Sequence, residues 1–394
     1  MVRLIVPLAA AAFGLASACM AADLRTGVLR VDYPSVPPVT RLDARPSDLG
    51  FAGAALAQED NATTGGFMGH GYALETVAVA PEGADAALDA LLAEGIGTLV
   101  ILARDADLLR LADRAGPEVL VLNAAARGTA LRDGDCRANV LHVTPSVAML
   151  ADAAVQFAAW KKWTRLYLIH GSNPQDLALA EAYRRAAARF GARIVEEREF
   201  EDTGGARRTD SGHVMVQRQL PVFTQDAREH DVVIAADASD VFARYLPFHL
   251  WDPRPVIGSA GLQPVSFDPA LEAWGATQFQ RRFEALTGRR LAEADYDTWL
   301  ALRVLGEAVT RTGSADPATL RAYALSEEFE LAAFKGQKVT FRPWNGQLRQ
   351  PVLLFDGRIT ASVSPQEGFL HQVSPLDTLG LDAPDSACGA FGGG

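Results

Sequence analysis

Short apolar runs alternate with amphipathic stretches of helix length along most of this chain, and few architectures accommodate that rhythm other than parallel sheets covered by helices. Strands are expected at 26–31, 75–79, 98–102, 118–122 and 140–143, with helices at 84–94 and 107–115; Leu88, Leu91 and Leu92 share one face of the first helix. Thr144-Pro145-Ser146 reads as a crossover, after which the plan repeats as helix 147–163, strand 165–170, helix 174–191 and strands 193–200, 231–235 and 255–258. Ser172-Asn173-Pro174 supplies a cap and a first-turn proline for helix 174–191, and Gly191 stops it. Helices 275–287, 296–312 and 317–326 follow. The end of the chain turns to β at 338–342 and 351–355, around Trp344-Asn345-Gly346, where Asn-Gly is a hairpin signal.

The expected class is α/β, with two Rossmann-like lobes of parallel sheet joined by several chain crossings around a cleft. Residues 22–143 with about 262–326 form the expected first lobe, 144–261 with about 327–375 the second, and 376–394 a tail. A length of 394 residues, 49% hydrophobic and 22% charged, is enough for two cores. The net charge of -11 excludes a polyanion partner, because binding nucleic acid needs a basic face.

The leader carries Arg3, an apolar stretch over 4–15 and small residues ending at Ala21 and Ala22, the pattern of a signal peptide cleaved near Ala21. It is too short for a membrane anchor and is broken by Pro7. Cys19, after Ala16-Ser17-Ala18, leaves lipidation as an alternative. Beyond the leader only Cys136 and Cys388 remain; an oxidising compartment favours a disulfide between them, against the alternative of two unpaired small residues.

Enzyme motifs fail one by one. Ser259 occupies the second place of Gly-Ser-Ala-Gly, so it is no nucleophile elbow. His70, His142, His170, His213, His230, His249 and His371 never take metal-ligand helix spacing. Asp210-Ser211-Gly212-His213 is loop adjacency without triad geometry, and neither a Walker loop nor a dinucleotide fingerprint occurs. A non-enzyme without a catalytic cofactor or metal is expected.

The strings GVL near the start, GIGTLVIL, WKKWTRLYLIHGSN and DVVIAAD are placed as in type I periplasmic solute-binding proteins of the branched-chain-amino-acid-binding kind, and the chain resembles that family over nearly its whole length. HLWDPRPVIGSAGL, WGATQFQRRFEALTGR, YDTWLALRVLGEAVTRTGSADP, AFKGQKVTFRPWNGQLRQPVLL and SPQEGFLHQVSPLDTLGLD are similar to one subfamily, the binding proteins that accompany pyrroloquinoline quinone (PQQ)-dependent alcohol dehydrogenases. The resemblance implies a monomeric periplasmic receptor of an ABC-type importer that holds a small anion, PQQ as first choice, for an inner-membrane permease. An amino acid or amide ligand, or a role in loading a PQQ-dependent alcohol dehydrogenase, is the alternative.

In parallel α/β lobes, ligands sit beyond the carboxyl ends of the strands. That rule nominates Arg104, Asn123, Ala125 and Arg127 in the first lobe, and His170, Ser172, Asp237, Ser259 and Gly261 in the second. Arg207 and Arg208 in the long polar segment 202–228 could close over an anion, since guanidinium forks pair with carboxylates. Trp299, near the start of a helix expected to reach the hinge, is a candidate stacking surface. Trp160-Lys161-Lys162-Trp163 and Trp251 read as structural.

Overall fold

A computed structural model describes residues 21–35, 44–202 and 215–392. The leader through Cys19, and Arg207 and Arg208, lie outside the described residues.

The first lobe contains β1 (Asp23–Val31), α1 (Phe51–Gly66), β2 (Gly71–Val79), α2 (Ala84–Ala93), β3 (Thr98–Leu102), α3 (Asp105–Ala115), β4 (Leu120–Asn123) and β5 (Val140–His142). Its five strands pair in parallel in the order β2-β1-β3-β4-β5. The second lobe follows with α4 (Val147–Trp160), β6 (Arg165–Gly171), α5 (Pro174–Arg189), β7 (Arg193–Phe200), α6 (Val216–Thr224), β8 (Val232–Ala236), α7 (Leu246–His249) and β9 (Val256–Gly258). Its parallel order is β7-β6-β8-β9. The chain then runs through β10 (Gln263–Val265), α8 (Ala276–Thr287), α9 (Glu293–Thr312), α10 (Pro317–Ala324), β11 (Leu331–Ala332), β12 (Lys338–Phe341), β13 (Leu348–Arg349), β14 (Val352–Phe355) and β15 (Thr360–Ser364).

Strands β3 and β4 are buried throughout and carry the apolar runs Leu99 to Leu102 and Leu120 to Leu122, because both faces are covered, the signature of a parallel sheet. One face packs on α1, α8, α9 and α10, the other on α2 and α3. In the second lobe α4 and α5 cover one face and α6 with the turn before α7 the other.

Helix α1 escapes the periodicity reading. Its sequence, FAGAALAQEDNATTGG, is rich in small and polar residues, yet it lies so close to α9 that a β-carbon on Gly53 would stand 1.8 Å from the carbonyl oxygen of Asp295. Helix α6, with Pro221 inside it, occupies part of the expected long loop.

Two further expectations need correction. The stretch 331–348, expected in the second lobe, puts Leu331, Ala333, Val339, Phe341 and Leu348 into the first-lobe core; β12 and β13 pair there as the hairpin that Asn345-Gly346 signals. β14 and β15 continue into the second lobe, where β14 pairs with β10 and β15 with β14 on the surface of α4. Trp251 is 58% exposed and is no part of a core. In Trp160-Lys161-Lys162-Trp163 both indoles pack on Phe157, and the Lys161 ammonium lies 4.6 Å from the Trp160 ring.

The lobes are linked three times, at 143–146, at 259–275 and at 349–352. The tail after β15 spans them again. Gly380 donates to Asp152 on α4 (2.7 Å), Asp377 lies between Arg342 and Arg349, and Cys388 is disulfide-bonded to Cys136 in the first lobe (Sγ–Sγ 1.99 Å).

Candidate functional site

The first link leaves the first sheet at the carboxyl end of β5 and the second leaves the other sheet at the carboxyl end of β9. The carboxyl tips of both sheets therefore flank the hinge, where ligands collect in folds of this kind.

On the first lobe, Arg104 is exposed at the tip of β3 and lies over the Tyr33 ring at 4.1 Å, while its backbone N–H donates to the Tyr33 hydroxyl (2.9 Å). Tyr33 donates to Asp107 (2.5 Å); burial and that bond push its hydroxyl up to about 12. Asn123 is fully buried. Its Nδ2 donates to the Ala126 carbonyl (2.7 Å) and faces Nδ1 of His142 (2.9 Å), while its Oδ1 accepts the N–H groups of Ala125 (3.1 Å) and Ala126 (2.8 Å). Asn123 thus shapes the turn that presents half-buried Ala125 and has no bonding capacity left for a ligand. Burial, with Arg132 beside it, holds the His142 imidazole well below its usual range, hence neutral.

Arg127 leads to groups that the strand-tip rule did not nominate. Its NH2 forms an ion pair with Oε1 of Glu293 (2.8 Å) and lies 3.8 Å from Oδ2 of Asp297; its Nε donates to the Thr144 hydroxyl (3.3 Å). Glu293 Oε1 also accepts the backbone N–H of Ser266 (2.5 Å). Behind them Lys335, 1% exposed, donates to Gln350 Oε1 (2.5 Å) and to the Pro351 carbonyl (3.2 Å), with its ammonium 4.8 Å from the Tyr296 ring. Thr144, Ser266 and Gln350 belong to the first, second and third links, so one charged cluster touches every connection between the lobes. Burial raises the Asp297 carboxyl and lowers the Lys335 ammonium. Arg132 lies alongside, 2% exposed and donating to Gln347 Oε1 and to the carbonyls of Gly128 and Thr144, with its guanidinium lowered by burial. The acidic pair four residues apart at the start of α9, Glu293 and Asp297, was the available sequence signal, since that spacing puts both on one helix face.

On the second lobe the carboxylates turn inward. Asp237, nominated by the strand-tip rule, accepts the N–H groups of Val241 (2.8 Å), Phe242 (2.7 Å) and Ala243 (2.7 Å), so its carboxylate is engaged within its own turn. Asp176, fully buried, ties the turn after β6 to Ser239 through the latter's N–H (2.8 Å) and hydroxyl (2.9 Å). Ser172 accepts the Asp202 N–H (3.0 Å) and Ser259 that of Asp237 (2.9 Å). His170 is buried, with Nδ1 2.9 Å from the Gly171 carbonyl and Nε2 3.4 Å from Glu197. Gly261 has φ +64°, and a β-carbon there would meet the Val256 carbonyl at 2.2 Å, so backbone geometry accounts for it.

Trp299 is also corrected. It lies in the first-lobe core, 2% exposed, with Nε1 donating to Asp60 (2.9 Å) at the edge of a surface groove of about 650 Å³ between α1, α8 and α9.

With this geometry in view, comparisons place the fold. The periplasmic binding protein family matches residues 45–211. A branched-chain amino acid ABC transporter periplasmic ligand-binding protein from Burkholderia xenovorans LB400 superposes with TM-score 0.71 at 15% identity, over 93% of this chain and 100% of its own. An ABC transporter substrate-binding protein from Desulfitobacterium hafniense in complex with Leu gives 0.63 at 17%, covering 86% and 98%. A solute-binding protein of an ABC transporter from R. palustris in complex with benzoate gives 0.60 at 14%, covering 84% and 92%. No curated protein sequence matches. The chain has the type I periplasmic-binding fold.

Proposed function

We propose that this protein is the solute-receiving component of an ABC-type importer, acting in the periplasm, and that it holds a small carboxylate-bearing ligand of amino-acid size between its lobes. One observation carries the reading: the carboxyl tips of both parallel sheets converge on a three-link hinge whose floor is charged. Lobes joined this way close by hinge rotation around a ligand, and the closed form is what a permease in the inner membrane would engage. Catalysis has no part in the proposal, and a monomer suffices for it.

The ligand class draws support from the neighbours, one holding leucine and another benzoate. PQQ and a PQQ-dependent alcohol dehydrogenase rest on the subfamily resemblance alone, so PQQ enters as a test ligand. Calorimetry with the purified protein and L-amino acids, benzoate and PQQ, each at about 100 µM, is the test. Saturable heat from an amino acid or benzoate supports the reading; heat from PQQ alone reinstates PQQ; silence from all of them overturns it.

A further inference from the structure

At the hinge a cation and an anion, Arg127 and Glu293, stand side by side and are both partly exposed. Arg127, in the loop beyond β4, and Glu293, at the start of α9, are 29% and 26% exposed beside the links between the lobes, and both are held from below. Thr144 fixes the Nε of Arg127, and the Ser266 N–H fixes Oε1 of Glu293. Among the described residues NH1 of Arg127 and Oε2 of Glu293 make no hydrogen bond, so the pair offers one unused donor nitrogen and one unused acceptor oxygen side by side.

The surrounding charges balance. Arg127 and Lys335 stand against Glu293 and Asp297, two of each sign within mutual electrostatic reach. A simple monoanion placed on such a floor would bring a charge with no counterpart, and burying an uncompensated charge is costly. A molecule carrying a carboxylate and an ammonium on neighbouring atoms brings none. The second lobe offers little competition for the ammonium, because Asp176 and Asp237 at the tips of β6 and β8 already accept internal donors.

We infer that Arg127 and Glu293 form a zwitterion-selecting pair, with Arg127 taking the carboxylate and Glu293 the ammonium of an α-amino acid, in preference to the deaminated acid of the same shape. This rests on the reading of the cleft as a carboxylate receptor and narrows its ligand class. Asp297, fixed behind the pair, acts as a positioning residue that holds Arg127.

The test is a ratio of dissociation constants: each L-amino acid that binds is compared with its deaminated analogue, for instance L-leucine with 4-methylpentanoate, in wild type, Glu293→Gln and Glu293→Asp. Glutamine retains an acceptor for the Ser266 N–H, and ligand-free melting of each variant reports folding. The wild type is expected to prefer the amino acid at least tenfold, Glu293→Gln to abolish that preference mainly by weakening the amino acid, and Glu293→Asp to restore most of it. A wild type that binds the deaminated acid equally well, or a Glu293→Gln variant that keeps the ratio, overturns the pair while the carboxylate receptor stands. Failure of both ligand sets to bind overturns the receptor reading and the pair with it.

Discussion

The Nε of Arg342 donates to Oδ1 of Asp377 over 2.9 Å in a place where the arginine side chain is 1% exposed and the carboxylate not at all. Arg349 donates to the same oxygen at 2.8 Å, and Arg342 also reaches the carbonyls of Leu376 and Leu379. The tail is thereby fastened to the hairpin that precedes the third link. Removing the acid strands buried guanidinium groups, so Asp377→Ala is expected to cost about 3–5 kcal/mol in denaturant unfolding. A loss below about 1 kcal/mol would mean that the carboxylate is dispensable there.

Cys136 and Cys388 are 252 residues apart in sequence, and their bond closes a loop through both lobes. Cross-linking so long a loop restricts the unfolded chain, and Cys388→Ser is expected to lose on the order of 3–5 kcal/mol, seen as a lower melting temperature that reductant imposes on the wild type but not on the variant. Equal melting of oxidised and reduced wild type would contradict this.

Asp297 and Lys335 make the hinge sensitive to pH. Burial raises the acid to about 6, so between its ordinary value and 6 the folded state holds more protons than the unfolded state, and stability falls as pH rises. Burial lowers the lysine to about 7, so from 7 to its ordinary value the unfolded state holds more protons, and stability rises with pH. The contribution of the pair is therefore lowest between pH 6 and 7. The double variant Asp297→Asn/Lys335→Met should gain on wild type most in that interval, by roughly 1–3 kcal/mol. A stability difference that stays constant from pH 4 to 10 would refute the assignment.

Arg104 is the exposed cation at the tip of β3, positioned over Tyr33. Arg104→Ala is expected to weaken a bound carboxylate by about 1.5–3 kcal/mol through loss of a charge-assisted bond. An unchanged dissociation constant in calorimetry would place Arg104 outside the site.

Gly53 is where α1 and α9 come closest, its missing β-carbon only 1.8 Å from the Asp295 carbonyl oxygen. Gly53→Ala should force the helices apart and cost about 1–3 kcal/mol or more by overpacking, whereas an alanine at exposed Gly66, with nothing within 4 Å, should cost little. Equal melting of the two variants would exclude the contact as a constraint.

Local pattern was enough for the two parallel sheets. Strand β3 at Thr98–Leu102 and β7 at Arg193–Phe200 match the sequence reading residue for residue, because burial on both faces, or on one, writes itself into consecutive side chains. Helix α1 was illegible because close helix packing selects small residues, and these leave no apolar stripe to read. The order of residues also placed Arg104 and Arg127 at strand tips, since topology alone carries loops to the carboxyl ends. It could not tell that Asn123 and Asp237 spend their bonds on their own turns, or that Trp299 faces a core. Nor could it bring Arg127, Glu293, Asp297 and Lys335 together from separate stretches of chain. Hydrogen-bond saturation and burial are properties of neighbours distant in sequence, so only the folded arrangement decides which polar groups remain available to a ligand.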